Sequence, residues 1–559
     1  MIFYDFEVFH ENWLIVCMDT KEHKTTVIVD DREKLIKYHE KNIDDIWVGF
    51  NSRYYDQWIL KGIICDFNPK EINDHIILKK QRGWSFSSLL NKIQLLNYDV
   101  MTSLHSLKQL EGFMGNNIKE SSVSFNIKRA LTEPEIEEVV DYCKHDVSQT
   151  MEVFLNRIEE FTSHMSLITE FKLPMKYVNK TKAQLAAIIL KARKREYDDE
   201  FDITIPDTIK LNKYKWIETW YRDKNNLDYE KKLEVDVAGV PHVFAFGGLH
   251  GAIPNYYGEG IFLNVDVASY YPSLMIEYGF ASRSIEEEGR YSEIYNTRLE
   301  LKAKKDKKQL PYKITLNSTY GAMKDKYNAL YDPLQANNVC ITGQLMLLDL
   351  IEKLENDVQL IQSNTDGILV KLKSMKEYDK VCSICREWEH RTRMKLEYDL
   401  YSKVIQKDVN NYIIVDFDGK YKSKGAYVKK LNVLDYDLPI VNKALVNKLL
   451  YNIDIEKTIN DCNELKEFQK IVKVSGKYKY AMHNDEILNE RVLRVFASRR
   501  ISDGAVCKVK NINKEKIAIT PEKCFIDNSD VKGKEVPRHL DRRWYIELAN
   551  KRLEDFKGV

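Results

Sequence analysis

The stretch Gln359 to Leu372, QLIQSNTDGILVKL, restricts the fold more than any other. Two runs rich in Ile, Leu and Val flank Asn364-Thr365-Asp366-Gly367. Turn-forming residues between two such runs specify a β-hairpin, here with the carboxylate of Asp366 at its tip. Taken alone, an Asp beside a Gly at a hairpin tip is turn chemistry.

A chain of 559 residues is too long for one core and points to three or four domains. Lys and Arg number 86 against 85 Asp and Glu, so net charge gives no sign of a polyanion partner. From 401 onward, however, there are 32 Lys/Arg and 23 Asp/Glu, so a nucleic-acid groove would draw much of its lining from the C-terminal part. The nine cysteines are scattered, and Cys382 and Cys385 form one CxxC with no second pair at zinc-ribbon spacing. They read as ordinary thiols in a reducing compartment. With no apolar run of about 18 residues and no signal-peptide pattern, the expectation is a cytoplasmic protein with no membrane span.

Three further segments carry acids. MIFYDFEVF alternates, placing Asp5 and Glu7 on one face of a first strand. The apolar WVGFN runs through Asn51 into the helix DQWILKGII, so that Asp56 sits near a helix N-terminus. Thr132-Glu133-Pro134-Glu135 is a capping box that starts a third element, a helix on which Tyr142 and Asp146 are neighbours. Each alone is a solvated acid; together Asp5, Glu7, Asp56 and Asp146 form a carboxylate cluster that calls for hard divalent cations, Mg²⁺ or Mn²⁺. Two such ions can clamp the attacking water and the leaving oxygen of a phosphodiester.

Here the chain resembles the proofreading exonuclease domain of family B DNA polymerases, whose motifs DxE, Nx2–3(F/Y)D and YxxxD occur in this order. They stand here as Asp5-Phe6-Glu7, Asn51 to Asp56, and Tyr142 to Asp146. The resemblance implies an RNase H-like fold over 1–165, metal ligation by Asp5, Glu7 and Asp146, and a water-orienting Tyr142. It also implies a contact of Asn51 with single-stranded primer and of Lys119 with phosphate. Val8 replaces the Thr common in that family.

The resemblance continues beyond a helical and polar connector, 166–240, whose clearest amphipathic helix is KAQLAAIILKARKREY. Gly247-Gly248 matches the glycines of YxGG, with Ala245 at the tyrosine position. GIFLNVDVASYYPSL is a strand that breaks at Pro272, with Asn264 and Asp266 on one side. Its Asp266, Ser269, Tyr271 and Pro272 match DxxSLYPS, with Tyr270 where Leu is usual; a buried Tyr270 hydroxyl will need a partner. Two helices follow, EIYNTRLELKAKKDKKQ and, after Leu310-Pro311, YKITLNSTYGAMKDKY. Arg298 and Lys302 share one face, and Lys313, Asn317 and Tyr320 another. KxxxNSxYG is the family's second motif. The hairpin tip corresponds to DTDS, with Asn364 and Gly367 as departures. In VNNYIIVDFDGKYKSKGAYVKK, two strands turned at Asp418-Gly419, Tyr412, Lys424 and Gly425 match the primer-gripping elements. Asn410 replaces the lysine of KxY, which implies either a lower primer affinity or substitution by the neighbouring Lys407.

The implied architecture is an α/β multidomain chain: the exonuclease, then a right-hand polymerase. Its α+β palm is an antiparallel sheet over 241–289 and 336–428, its helical fingers span 290–335, and a small thumb with the C-terminal region spans 429–559. Asp266, Val267 and Asp366 would hold two Mg²⁺, with Mn²⁺ able to substitute. Tyr271, Arg298, Lys302, Lys313, Asn317 and Tyr320 would contact dNTP. Gly247, Gly248, Tyr412, Lys422, Lys424 and Gly425 would contact DNA. The expected partners are primer-template DNA, dNTPs, and single-stranded DNA in the nuclease site, with a helicase and single-strand binding protein as replisome partners of a monomer. Only 38 residues (275–312) and 42 residues (322–363) separate the polymerase motifs, too few for protein-priming insertions. The expectation is therefore a compact phage or mobile-element polymerase that extends a nucleic-acid primer. Two other readings are a nuclease with a degenerate DNA-binding palm, motivated by Asn364, and de novo primer synthesis.

Overall fold

A computed structural model describes residues 1–102, 104–425, 427–511 and 513–556. It is a mixed α/β molecule with several sheets that divides into two compact units. The first takes Met1–Asn179, Leu431–Asn447 and Ile453–Ala549; the second takes Lys180–Lys430, Lys448–Asn452 and a short stretch from Asn550 onward.

The first unit begins with β1 (Ile2–Val8), β2 (Trp13–Asp19) and β3 (Lys24–Val29), then α1 (Arg32–Lys41), β4 (Ile46–Gly49), α2 (Asp56–Ile64), α3 (Pro69–Ile77) and β5 (Leu96–Asp99). The strands form one sheet in the order β3-β2-β1-β4-β5. Its β1–β2 and β2–β3 pairs are antiparallel, and β1–β4 and β4–β5 are parallel. The apolar face of β1 (Ile2, Tyr4, Phe6, Val8) packs with Trp47 and α2, so Asp5 and Glu7 point the other way. There lie α4 (Leu107–Met114) and α5 (Glu133–Asn156), followed by α6 (Ile158–Glu170). Capping boxes start both α4 (Ser106 with Gln109) and α5 (Thr132 with Glu135), so the sequence fixes where these helices enter the unit. The Cys143 thiol of α5 donates to the Asp5 carbonyl at 3.4 Å, which sets the helix over β1.

The second unit opens with α7 (Lys182–Ile189) and α8 (Lys215–Arg222). Helix α7 covers only the first half of the amphipathic run expected there, because a Leu190 cap and left-handed Lys191 end it. Strands β6 (Leu233–Val237), β7 (Val240–Phe244), β8 (His250–Ala252) and β9 (Tyr256–Val267) precede helices α9 (Tyr270–Glu277), α10 (Arg290–Ala303), α11 (Gln309–Lys324) and α12 (Pro333–Leu354). Then come β10 (Gln359–Asn364), β11 (Gly367–Leu372), α13 (Lys376–Thr392), β12 (Leu396–Asp408), β13 (Asn411–Val415) and β14 (Tyr421–Lys424). The sheet is antiparallel and nine-stranded, ordered β14-β13-β12-β9-β11-β10-β8-β7-β6. Helix α12 is enclosed from Ala336 to Ile351, and polar side chains buried on it are bonded to other segments: Gln344 Nε2 donates to the Gly247 carbonyl at 2.8 Å, and Asp349 Oδ2 accepts from Arg391 at 2.7 Å.

Two boundaries in this unit differ from the sequence expectation. Strand β9 ends at Val267, not Pro272, because left-handed Ser269 caps α9 and Pro272 falls in that helix's first turn, where a missing N–H costs nothing. For the same reason α11 starts at Gln309 and absorbs Pro311, and the break after α10 lies in the lysine-rich 304–308.

The chain then returns to the first unit with α14 (Pro439–Tyr451), α15 (Ile455–Asn460) and seven short strands: β15 (Lys470–Lys473), β16 (Tyr480–His483), β17 (Glu486–Leu488), β18 (Val492–Ala497), β19 (Cys507–Lys510), β20 (Asn513–Lys516) and β21 (Cys524–Ile526). They form sheets β15-β18-β21 and β17-β16-β19-β20, before α16 (Arg542–Glu554). This segment holds the loop after α4: Asn528 O accepts from Ile118 N–H at 2.7 Å, and Gly115 O from Val531 N–H at 2.9 Å. Among the described residues no helix is long and apolar enough to cross a membrane.

Candidate active sites

In the first unit, β1, α2 and α5 bring Asp5, Glu7, Asp56 and Asp146 together. Asp5 is partly buried; the other three are almost wholly enclosed. Phe6 N–H donates to Asp56 Oδ1 at 3.2 Å, fixing the start of α2 against β1. Burial pushes Asp5 and Glu7 well above the carboxylate range, and the neighbouring acids push them further. Asp56 is pushed up to about 7, first by burial, with the Asp99 charge adding to it. A group of acids that raise one another in this way is held short of a cation. The donor set fits a hard one: Asp5, Glu7 and the Cys143 sulfur offer ligand atoms within 4.8 Å of one another, but burial keeps the thiol protonated, which leaves oxygen donors.

Burial raises Asp146, and Lys108 together with Tyr142, one turn earlier on α5, draws it back. The sequence reading missed three residues around it. Lys108, on α4, donates to Asp146 and to Glu111 Oε1 (3.0 Å), and its ammonium lies 4.7 Å from the Tyr142 ring centroid. Glu111 is fully enclosed. Asp99, at the end of β5, accepts from the N–H groups of Asn51 (2.9 Å) and Arg53 (3.0 Å), and so shapes the loop that presents the Asn51 side chain to solvent. The only available signal for the Lys108–Glu111 pair was its i, i+3 spacing in a capped helix. Among the described residues Lys119 forms no ion pair with these acids; its neighbours Ile118 and Glu120 are tied to Asn528 and to the N–H groups of Arg491 and Val492.

In the second unit, β10 and β11 pair with Asn364 opposite Gly367, so Thr365 and Asp366 form the hairpin tip. β11 pairs with β9, setting Gly367 opposite Asp266. Two acids a hundred residues apart in sequence thus meet at adjacent strand ends. Val267 N–H donates to the Asp366 carbonyl at 2.7 Å, and Thr365 N–H to Leu249 O at 2.8 Å, so the tip is held from both sides. Gly367 is required: a Cβ there would sit 1.9 Å from Asp266 Oδ1. At Gly248 a Cβ would meet Thr365 Oγ1 at 2.7 Å, so that glycine lets the loop close under the tip, whereas Gly247 faces open space.

Asn264 Nδ2 donates to Asp266 Oδ2 at 2.6 Å. Asp266 is nonetheless pushed up to about 6, by burial and then by Asp366; Asp366 is raised by burial and drawn back by Lys424. A cleft of about 210 Å³ opens beside them, lined by Asn364, Asp399, Tyr401, Tyr412 and Lys422. Lys422 donates to the Tyr401 hydroxyl at 2.8 Å, and Lys424 faces Tyr412 across the β13–β14 pair. Gly425 lies at φ 101°, and a Cβ there would collide with Asn410 O at 2.3 Å. Lys407, expected to replace the missing lysine at Asn410, is instead paired with Asp555 at 3.0 Å over the Tyr427 ring.

On α11, Lys313 and Asn317 are exposed on one face, and Tyr320 packs on Tyr271 with ring centroids 4.5 Å apart. The Tyr270 hydroxyl finds its partner in Gly343 O at 2.7 Å. Arg298 is buried and donates to Ser269 Oγ at 2.8 Å, which places it under the start of α9. Lys302 is exposed, 3.5 Å from Glu397. Arg494, part of the basic C-terminal run, is fully buried, and Arg491 donates to the carbonyls of Ser475, Tyr478 and Lys479.

No family model matches the chain. A DNA polymerase 1 of Saccharolobus solfataricus is 27% identical over 196 residues, 34% of this chain and 21% of that protein, so the chain matches about a fifth of that relative's length. Among solved structures, the family B DNA polymerase of Pyrobaculum calidifontis aligns over 100% of this chain and 77% of its own, with TM-score 0.44 and 13% identity.

Proposed function

We propose that the chain is a template-directed DNA polymerase that extends a nucleic-acid primer with dNTPs and proofreads through a 3′–5′ exonuclease, as a compact phage or mobile-element enzyme. The observation that carries this reading is the placement of Asp266 and Asp366 at adjacent strand ends beside a cleft lined by Lys422, Tyr401 and Tyr412. The partial likeness to an archaeal DNA polymerase points the same way. On this reading 1–165 is the nuclease, 241–289 and 336–428 the palm, 290–335 the fingers and 429–559 the thumb region.

Mg²⁺ or Mn²⁺ held by Asp266, Asp366 and Val267, and by Asp5, Glu7 and Asp146 in the nuclease, would supply Lewis acidity to the primer 3′-OH, the leaving pyrophosphate and the attacked phosphodiester. The protein's own side chains do the rest. Lys313 and Lys302 neutralise the triphosphate, with Asn317 beside them. Tyr271, braced by Tyr320, lies under the sugar and excludes a 2′-hydroxyl. Arg298 fixes Ser269 and with it the α9 end of the site. Tyr412, Lys422 and Lys424 grip the primer backbone. In the nuclease centre Tyr142 orients the water, Asn51 holds the strand end, and Lys108 fixes Asp146.

Primer extension on a primed single strand tests the assignment. Asp266→Ala or Asp366→Ala should abolish extension while single-strand degradation persists, and Asp5→Ala/Glu7→Ala should do the reverse. Extension that survives either palm substitution overturns the polymerase site. Asn364, neutral where the resembled motif has an acid, favours a second reading in which the palm is only a DNA-binding scaffold. Full-length product from the Asp5→Ala/Glu7→Ala protein excludes it.

A further inference from the structure

The residues between α3 and β5 form an exposed surface that the two acid centres do not use. Residues 77–92 contain Lys79, Lys80, Arg82 and Lys92 and no acid. The same stretch exposes large apolar side chains: Leu78 is 69% exposed, Trp84 56% and Leu89 45%. Single exposed apolar residues need no explanation, but a tryptophan, two leucines and Ile77 (55% exposed) among four cations and no acids make an unusual solvent face. Its backbone is well anchored. Gly83 lies flat on the buried Trp58, where a Cβ would come within 2.3 Å of the indole, and this turns Trp84 outward. The Arg82 carbonyl accepts from Ser85 Oγ at 2.6 Å.

The surface is continuous with the first acid cluster. The Arg82 guanidinium carbon lies 5.6 Å from the ring centroid of Tyr54, itself half exposed. Tyr54 belongs to the loop that Asp99 holds, two residues before Asp56 and three after Asn51. Aromatic faces interleaved with cations suit a partner that is both stacked and polyanionic. In single-stranded nucleic acid every base offers a π-face and every linkage a negative charge. An apolar protein partner would leave the four cations without counter-charges, and a duplex, its bases already stacked, would leave Trp84 idle.

We propose that Tyr54, Arg82 and Trp84, with the lysines around them, form a stacking platform for unpaired DNA that feeds a strand end to the Asp5–Glu7–Asp56–Asp146 cluster. The proposal rests on the nuclease reading of that cluster for its direction, though binding itself does not depend on catalysis.

The test uses the full chain carrying Asp5→Ala/Glu7→Ala, so that DNA is not consumed, and a single-stranded oligodeoxynucleotide of about twelve nucleotides. Added strand should quench tryptophan fluorescence, and the quench should vanish in Trp84→Ala. That substitution should weaken binding about tenfold, Trp84→Phe should restore most of the affinity, and Arg82→Ala should flatten the salt dependence. All three side chains are exposed, so folding is not at stake. Unchanged affinity and quench in Trp84→Ala overturn the proposal, as does a Trp84-dependent dimer, which would make a second copy the occupant. Degradation by the protein with its acids intact is measured separately. A strand bound through Trp84 but never cleaved leaves the platform standing and sinks the nuclease reading.

Discussion

Gly367 and Asp266 exclude each other's alternatives. Any side chain at 367 displaces the carboxylate that lies 1.9 Å from where its Cβ would be. Gly367→Ala should therefore lose primer extension while costing about 1–3 kcal/mol of stability, the range for overpacking, as read by extension gels and thermal melts. Lys61 makes a different kind of demand. It is 6% exposed, lies 4.8 Å from the Trp58 ring centroid, and burial pushes its amine down to about 8. Because the unfolded chain keeps the proton up to the ordinary lysine value, the native state binds fewer protons between those limits, and stability rises with pH across that window. Below about 8 the charge is held at a cost, so Lys61→Met should stabilise the first unit by roughly 3 kcal/mol at pH 7. That gain should fade as the pH climbs above 8, which urea melts at pH 7 and at high pH would show.

At the scale of elements, the sequence was legible where local chemistry and tertiary packing agree. The hairpin around Asp366 and the start of α5 came out as read, because turn residues and capping boxes act over three or four residues; α2 also starts at Asp56 as read, although its N-cap, Tyr55, makes no side-chain capping bond. The two prolines were misread as breaks because a first-turn proline is a helix starter, and periodicity alone does not distinguish the two. Within the sites, acids in short motifs were found, whereas Lys108, Glu111 and Asp99 were not, since they reach the cluster from elements with no motif of their own. The exposed face of α11 remained readable from its spacing, and it carries a prediction. Lys313→Ala should cut the rate of nucleotide addition by roughly a hundredfold or more, seen in single-turnover extension, with little change in melting.

For the whole molecule, charge was the poorest guide. The C-terminal excess of Lys and Arg suggested a DNA groove, yet Arg494 is wholly buried, donating to Gln469 Oε1 at 3.1 Å and to the carbonyls of Gly112 (3.2 Å) and Asn116 (2.6 Å). Composition records that a cation is present and not which way it faces. Arg494→Met would orphan several buried carbonyls at about 1–3 kcal/mol each, so it should destabilise the first unit by several kcal/mol without changing DNA affinity per folded molecule. Equal stability with weaker binding would return Arg494 to the groove. The same strand, β18, has a consequence for biosynthesis. The loop after α4 is stitched by residues near 470, 494 and 528, which leave the ribosome about 350 to 410 residues after it, while Lys180–Lys430 is contiguous. Domains generally fold as they emerge. Nascent chains should therefore complete the Asp266–Asp366 centre first, and the Asp5–Asp146 centre should acquire its finished surroundings only when synthesis is nearly over.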